Sequence, residues 1–171
     1  MINLVSMKKP LTILVAEDDM LARMVLERSV VQWGYQLVSA VDGESARESL
    51  RTRKIDVCLL DWDMPGMTGI EICKWLRTDV SGHVPYVILI TSKEQPEEIQ
   101  AGYEAGADDY VNKPCDLKYL RRRVATVGEK IQRQESWLHQ ANSESEGKHG
   151  LASLSPLDIY LSDLRLMRRK I

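Results

Sequence analysis

Residues 56–61 read DVCLLD, and the chain runs on through WDMPGMTG to residue 69. An apolar run that stops on a carboxylate and meets Pro-Gly four residues later reads as a buried strand entering a surface turn. The same pattern occurs earlier. Residues 11–16, LTILVA, stop on Glu17, Asp18 and Asp19. It occurs again at 84–91, where VPYVILIT ends on Thr91. Two shorter stretches, 36–40 and 108–112, also predict strands, and Lys113–Pro114 follows the second.

Between these runs the spacing predicts helices. Leu21, Met24, Val25, Arg28 and Val31 or Gln32 recur at helical intervals over 20–33, and Gly34 stops that helix. Further helices are expected over 44–53, 69–78 and 96–105, and another begins near Asp116. Strand and helix thus alternate five times. Near-continuous apolar strands separated by amphipathic helices imply an α/β, doubly wound parallel sheet covered on both faces. In such sheets ligands bind outside the carboxyl ends of the strands. Glu17, Asp18, Asp61, Thr91 and Lys113 all fall at that end.

Composition bounds the alternatives. With 44% hydrophobic and 28% charged residues, the chain is a globular mix. A net charge of −2 gives no global attraction to nucleic acid, and no direct nucleic-acid contact is expected. No apolar run is long enough to predict a membrane span, and the first ten residues are too polar for a secretory leader. Cys58, Cys73 and Cys115 are scattered and odd in number, which argues against a disulfide framework or zinc site. A cytoplasmic location is the expectation.

Carboxylates brought together resist ionisation unless a cation joins them. An oxygen-only donor set suits a hard ion, Mg2+ above all. Asp61 could then act as a nucleophile on phosphorus, forming an acyl phosphate. Lys113 would pair with a phosphoryl oxygen as a point charge. Thr91 could donate its hydroxyl to another oxygen, and the small Ser92 leaves room for the donor.

The set ILVAEDD, LLDWDMPGMTG, ILIT and AGADDYVNKP resembles the receiver domain of two-component response regulators, the CheY-like family. The resemblance covers roughly residues 11–125. It implies a (βα)5 flavodoxin-like fold of strand order 2-1-3-4-5, a type the general rules for doubly wound sheets already describe. It implies that Asp61 is the phosphoacceptor, charged by a histidine kinase or phosphotransfer protein. Asp18 is implied as a direct metal ligand, Glu17 as a ligand through water, and Asp63 as a ligand through its backbone carbonyl. Thr91 and Tyr110 correspond to the switch pair, and Lys113 to the phosphate-binding lysine. The bond before Pro114 is implied to be cis.

Plainer readings accompany several of these. Asp19 suits a cap on the first helix better than a metal ligand. Tyr110 could simply pack at a strand edge. Asp108 and Asp109 read as solvated turn residues, and Arg121–Arg123 as a solvated helix face. A rival from another class is the Asp-x-Asp motif of haloacid-dehalogenase-type phosphatases, with Asp61 as a turnover nucleophile. That motif sits on an early strand in those enzymes, whereas here it follows the third.

The receiver is expected over residues 8–126. Beyond it the last helix shows no stop. Leu117, Leu120, Val124, Val127, Ile131, Gln134 and Leu138 alternate intervals of three and four, a heptad seam with one polar position. Residues 127–140 therefore read as an extended C-terminal helix, with a coiled coil joining a homodimer as one outcome. Residues 141–154 read as a polar linker. Residues 155–171 read as an amphipathic helix, capped by Ser155 and striped by Leu157, Tyr160, Leu161, Leu164, Met167 and Ile171.

Overall fold

The computed structural model describes residues 10–78 and 83–145. The segment 155–171, with its expected helix, lies outside the described residues, as does most of the expected linker. Five strands, β1 (Thr12–Ala16), β2 (Gln36–Ala40), β3 (Val57–Asp61), β4 (Tyr86–Thr91) and β5 (Asp109–Asn112), alternate with five helices. These are α1 (Met20–Gln32), α2 (Gly43–Thr52), α3 (Gly69–Thr78), α4 (Pro96–Ala105) and α5 (Leu117–Ser145). All pairings are parallel, in the order β2-β1-β3-β4-β5.

Burial explains why the strands carry so few polar residues. Every residue of β3 is buried, because helices cover both faces of the sheet. Side chains alternate between those faces. Leu14, Cys58, Leu60, Val87 and Leu89 join one cluster with Ala46 of α2, Ile72, Cys73 and Leu76 of α3, and Ala105 of α4. The alternate residues Ile13, Val15, Leu59, Ile88 and Ile90 are also buried. They serve the opposite face, where right-handed crossovers put α1 and α5. Leu26, Val30, Leu120 and Val124 are buried accordingly.

Helix ends follow local chemistry. Asp42 and Ser45 form a reciprocal cap on α2. Pro96 opens α4, and Gly106 closes it with φ 104°, a left-handed conformation that glycine adopts without strain. Gly43 answers a different need. A Cβ there would lie 1.8 Å from the Met67 carbonyl oxygen, so the β3–α3 loop rests directly on the start of α2.

The first helix departs from expectation in one respect. The apolar stripe that marks it in the sequence faces outward: Leu21, Met24, Val25 and Val31 are exposed. The sheet instead takes Leu26, Ser29 and Val30. Apolar residues surround this helix almost evenly, so periodicity identifies a helix here without identifying its inner face.

The chain divides between Val127 and Gly128 into two compact units. The first holds the sheet and its helical layers. In the second, the described residues continue the helix to Ser145, with Trp137 74% exposed. Among the described residues no helix is long and apolar enough to cross a membrane.

Candidate functional site

Each functional side chain lies where a strand ends. β1 delivers Glu17 and Asp18, β3 ends on Asp61, β4 ends on Thr91, and β5 leads into Lys113. Because β1, β3 and β4 are adjacent and in register, Ala16 lies beside Leu60, and Asp61 beside Ile90. The five side chains thereby share one rim.

Glu17, Asp18 and Asp61 each offer an oxygen within 4.8 Å of the others. Glu17 is 1% exposed and Asp61 7%, whereas Asp18 is open to solvent. The Lys113 ammonium lies 3.0 Å from Asp61 Oδ2 and 2.9 Å from Glu17 Oε2. Its directed hydrogen bond goes to Glu17 Oε1, at 3.0 Å. Glu17 Oε2 is thus in ion-pair contact but is buried with no well-aligned donor.

Burial raises the Glu17 carboxyl above its usual range; the Lys113 hydrogen bond opposes this, and the neighbouring Asp61 charge adds to it. For Lys113, burial works against the charged form. Its hydrogen bonds with Glu17 and Asp61 prevail, and the ammonium is held above its usual range. Three carboxylates against one ammonium leave an unbalanced negative charge, and one buried oxygen lacks a directed partner. A hard divalent cation fits this donor set.

The backbone around the cluster is tightly held. A Cβ on Gly69 would sit 2.3 Å from the Asp61 carbonyl oxygen, so only glycine lets α3 start this close to β3. Gly69 also donates its N–H to the Trp62 carbonyl at 2.9 Å. Asp19 caps α1, accepting from the Ala22 N–H at 2.8 Å, in keeping with its plainer reading. Arg23, which sequence reasoning missed, reaches back from α1 to donate to the carbonyls of Glu17 at 2.8 Å and Asp18 at 3.2 Å. It fixes the acidic turn. Its only signal in the sequence is its place in the first turn of the helix after those acids.

Thr91 is 1% exposed, and its hydroxyl accepts from the Lys93 N–H at 3.1 Å. The Tyr110 phenol donates to the Lys93 carbonyl. Burial lifts that phenol above its usual range, opposed by a hydrogen bond with Thr91. Thr91 and Tyr110 are therefore together at the rim. Ser92 is exposed beside them. The Asp63 side chain points to Lys93, 3.4 Å from its ammonium. The Lys113–Pro114 bond is cis.

Two expectations of solvated charge are corrected. Asp109 is 3% exposed and pairs with Arg123 of α5. Asp108 accepts from the Val87 N–H at 2.9 Å and pairs with Arg77 at 3.2 Å. Both carboxylates stand at the start of β5, where they meet strand-edge N–H groups and helix guanidiniums. Arg123 is accordingly half-buried and not part of a purely solvated face.

A five-stranded parallel sheet with an acid-lysine rim defines a class of protein, and comparison with known sequences agrees. Residues 13–125 match the family described as response regulator receiver domain, and the chain belongs to that family. It is 34% identical over 116 residues to the transcriptional regulatory protein AfsQ1 of Streptomyces coelicolor, covering 68% of this chain and 50% of that protein. It is 36% identical over 118 residues to the response regulator MprA of Mycolicibacterium vanbaalenii, covering 69% and 50%. The match thus spans about half the length of these relatives. Among solved structures, the receiver domain of the Francisella response regulator 1452 superposes with a TM-score of 0.66 at 29% identity, covering 70% of this chain and 98% of that one. The chemotaxis response regulator CheY4 of Vibrio cholerae gives 0.65 at 26% identity, covering 70% and 99%. The chain is a response regulator receiver of the two-component type. The haloacid-dehalogenase-type alternative finds no support in these matches.

Proposed function

We propose that Asp61 accepts a phosphoryl group from a phosphohistidine on a histidine kinase or phosphotransfer protein, and that the chain acts as a switch and not as a turnover catalyst. The observation that carries this is the Lys113 ammonium, 3.0 Å from Asp61 and 2.9 Å from Glu17 at the sheet rim. An Asp61 oxygen attacks phosphorus, and the P–O bond forms as the P–N bond breaks. The electron pair returns to the imidazole nitrogen, which leaves neutral because its other nitrogen carries a proton. Water later hydrolyses the acyl phosphate.

Asp18, Asp61 and the Asp63 carbonyl would hold Mg2+ directly, and Glu17 through a water. Bound there, the ion neutralises charge on the phosphoryl oxygens. Lys113 leaves its carboxylate partners for a phosphoryl oxygen. The Thr91 hydroxyl turns from the Lys93 N–H to another, and Ser92 leaves room for the donor. Tyr110 follows Thr91 inward, which alters the surface of α4 and β5. Residues 8–126 form this receiver. Residues 127–140 continue its last helix and are the segment for contact with a second copy of the chain; that helix runs on to Ser145, so the linker expected from residue 141 does not begin there. Cytoplasmic location fits this role, without direct binding of nucleic acid or membrane.

The test is labelling by acetyl phosphate with Mg2+. One phosphoryl group per chain is expected, and none in Asp61→Asn. Sustained hydrolysis of p-nitrophenyl phosphate, or undiminished labelling of Asp61→Asn, would overturn the reading.

A further inference from the structure

Arg23 stands where the helix that carries it gives a cation no reason to be. It lies one turn into α1, near the positive end of the helix, where positive charge is disfavoured. Its ion pair with Glu27, at 3.7 Å one turn further on, has the less favourable order, cation before acid. The side chain is nevertheless largely buried, at 15% exposure. It turns back towards the end of β1, and a single nitrogen, Nη1, donates to the carbonyls of Glu17 at 2.8 Å and Asp18 at 3.2 Å.

Those two residues bear two of the three carboxylates at the rim. They are also the two residues between β1 and the Asp19 cap of α1, so neither is fixed by a regular element. Their like charges favour spreading apart. Holding both carbonyls sets the two peptide planes, and with them the directions in which the side chains leave the turn. The hold is itself braced. Glu27 accepts from the Ser39 hydroxyl of β2, the strand that pairs with β1. A path therefore runs from Ser39 through Glu27 and Arg23 to the acidic turn. It ends on backbone, which leaves the carboxylate oxygens of the turn for a cation.

We propose that Arg23, braced by Glu27 and Ser39, is a positioning residue for the cation site: it holds the acidic turn so that Glu17 and Asp18 present their carboxylates to Mg2+ in one arrangement. The inference rests on the Mg2+ reading of the rim. Groups that orient metal ligands typically change affinity by about 10–100-fold when they are removed. A plain charge effect has the opposite sign. A guanidinium this near a cation site repels Mg2+, so its loss alone would tighten binding. The direction of the change therefore separates positioning from charge.

The test titrates the full chain with Mg2+ and follows the NMR shifts of the Asp61 and Trp62 amides, with Tm in the presence of a chelator as the measure of folding. Arg23→Met is expected to weaken Mg2+ binding at least about tenfold. Arg23→Lys keeps the charge, loses the planar fork and should weaken binding as well, which keeps the test open if the methionine variant folds poorly. Glu27→Gln should weaken it less. The double variant Arg23→Met/Glu27→Gln should bind no more weakly than Arg23→Met, because the brace acts through Arg23. At saturating Mg2+ the acetyl phosphate labelling rate of Arg23→Met should return to the wild-type value. Mg2+ binding that is unchanged or tighter in the Arg23 variants overturns the proposal. A labelling deficit that saturating Mg2+ does not restore overturns it too, and additive losses in the double variant overturn the brace. Absence of any Mg2+ response in the wild type would overturn the cation site itself, and the role of Arg23 with it.

Discussion

Lys113 shows what a single residue does at this rim. It is the cation that two carboxylates share, within 3.0 Å of each. Replacing it leaves Glu17 and Asp61 buried, close and uncompensated. Lys113→Met should therefore lose roughly 2 kcal/mol of metal-free stability, less than a fully buried pair because the lysine is partly exposed. Mg2+ can supply the missing positive charge, so the variant's Tm should rise more on adding Mg2+ than that of the wild type. A Tm shift with Mg2+ no larger than the wild type's would contradict this role. The thiols give a second residue-scale outcome. Burial pushes Cys73 up to about 12 and Cys115 up to about 11. A raised thiol keeps its proton in the fold, so its contribution is complete below the unfolded value and is lost as pH rises through the folded one. Urea denaturation should find lower stability at about pH 10.5 than at about pH 8, with a smaller fall in Cys115→Ala. The site residues were legible one by one because each ends a strand, and parallel strands end together. Arg23, Asp108 and the Asp109–Arg123 pair were not, because their partners are set by backbone carbonyls and strand edges that sequence spacing does not reveal.

At the scale of elements, the strands were legible and one helix was legible only in part. β1, β3 and β4 are buried on both faces, and their short apolar runs bounded by turn signals suit such strands. The boundaries of α2 and α4 follow from Asp42, Pro96 and Gly106, whose chemistry is local. The inner face of α1 depends on how the helix lies on the sheet, and its apolar residues surround it too evenly to say. A pair of substitutions checks the outcome. Leu26 is 5% exposed and Leu21 68%. Leu26→Ala should destabilise by about 2–4 kcal/mol, from lost burial and the cavity it leaves. Leu21→Ala should stay within about 0.5 kcal/mol. Chemical denaturation measures both, and the reverse ranking would mean that α1 packs by its other side.

The whole molecule poses the question of what a phosphoryl group at the rim would control. α5 runs 29 residues, from Leu117 to Ser145, about 43 Å of helix. Its first turns are spent on the sheet, where Leu120, Val124 and Val127 are buried. Val127, the residue at which the sequence would start a free seam, is itself buried, so only the seam positions beyond it are left for a second chain, and fewer than two heptads are too few to hold a dimer by themselves. Dimerisation therefore needs a further contribution, and the surface of α4 and β5 that Tyr110 and Asp109 border is the one phosphorylation would change. Beryllofluoride with Mg2+ should accordingly shift the chain from monomer to dimer in sedimentation analysis. Removal of the residues beyond 126 should weaken that dimer while leaving acetyl phosphate labelling intact. A mass that does not respond to beryllofluoride would detach the extension from the switch. Equal dimerisation of the shortened chain would assign the contact to the receiver surface alone.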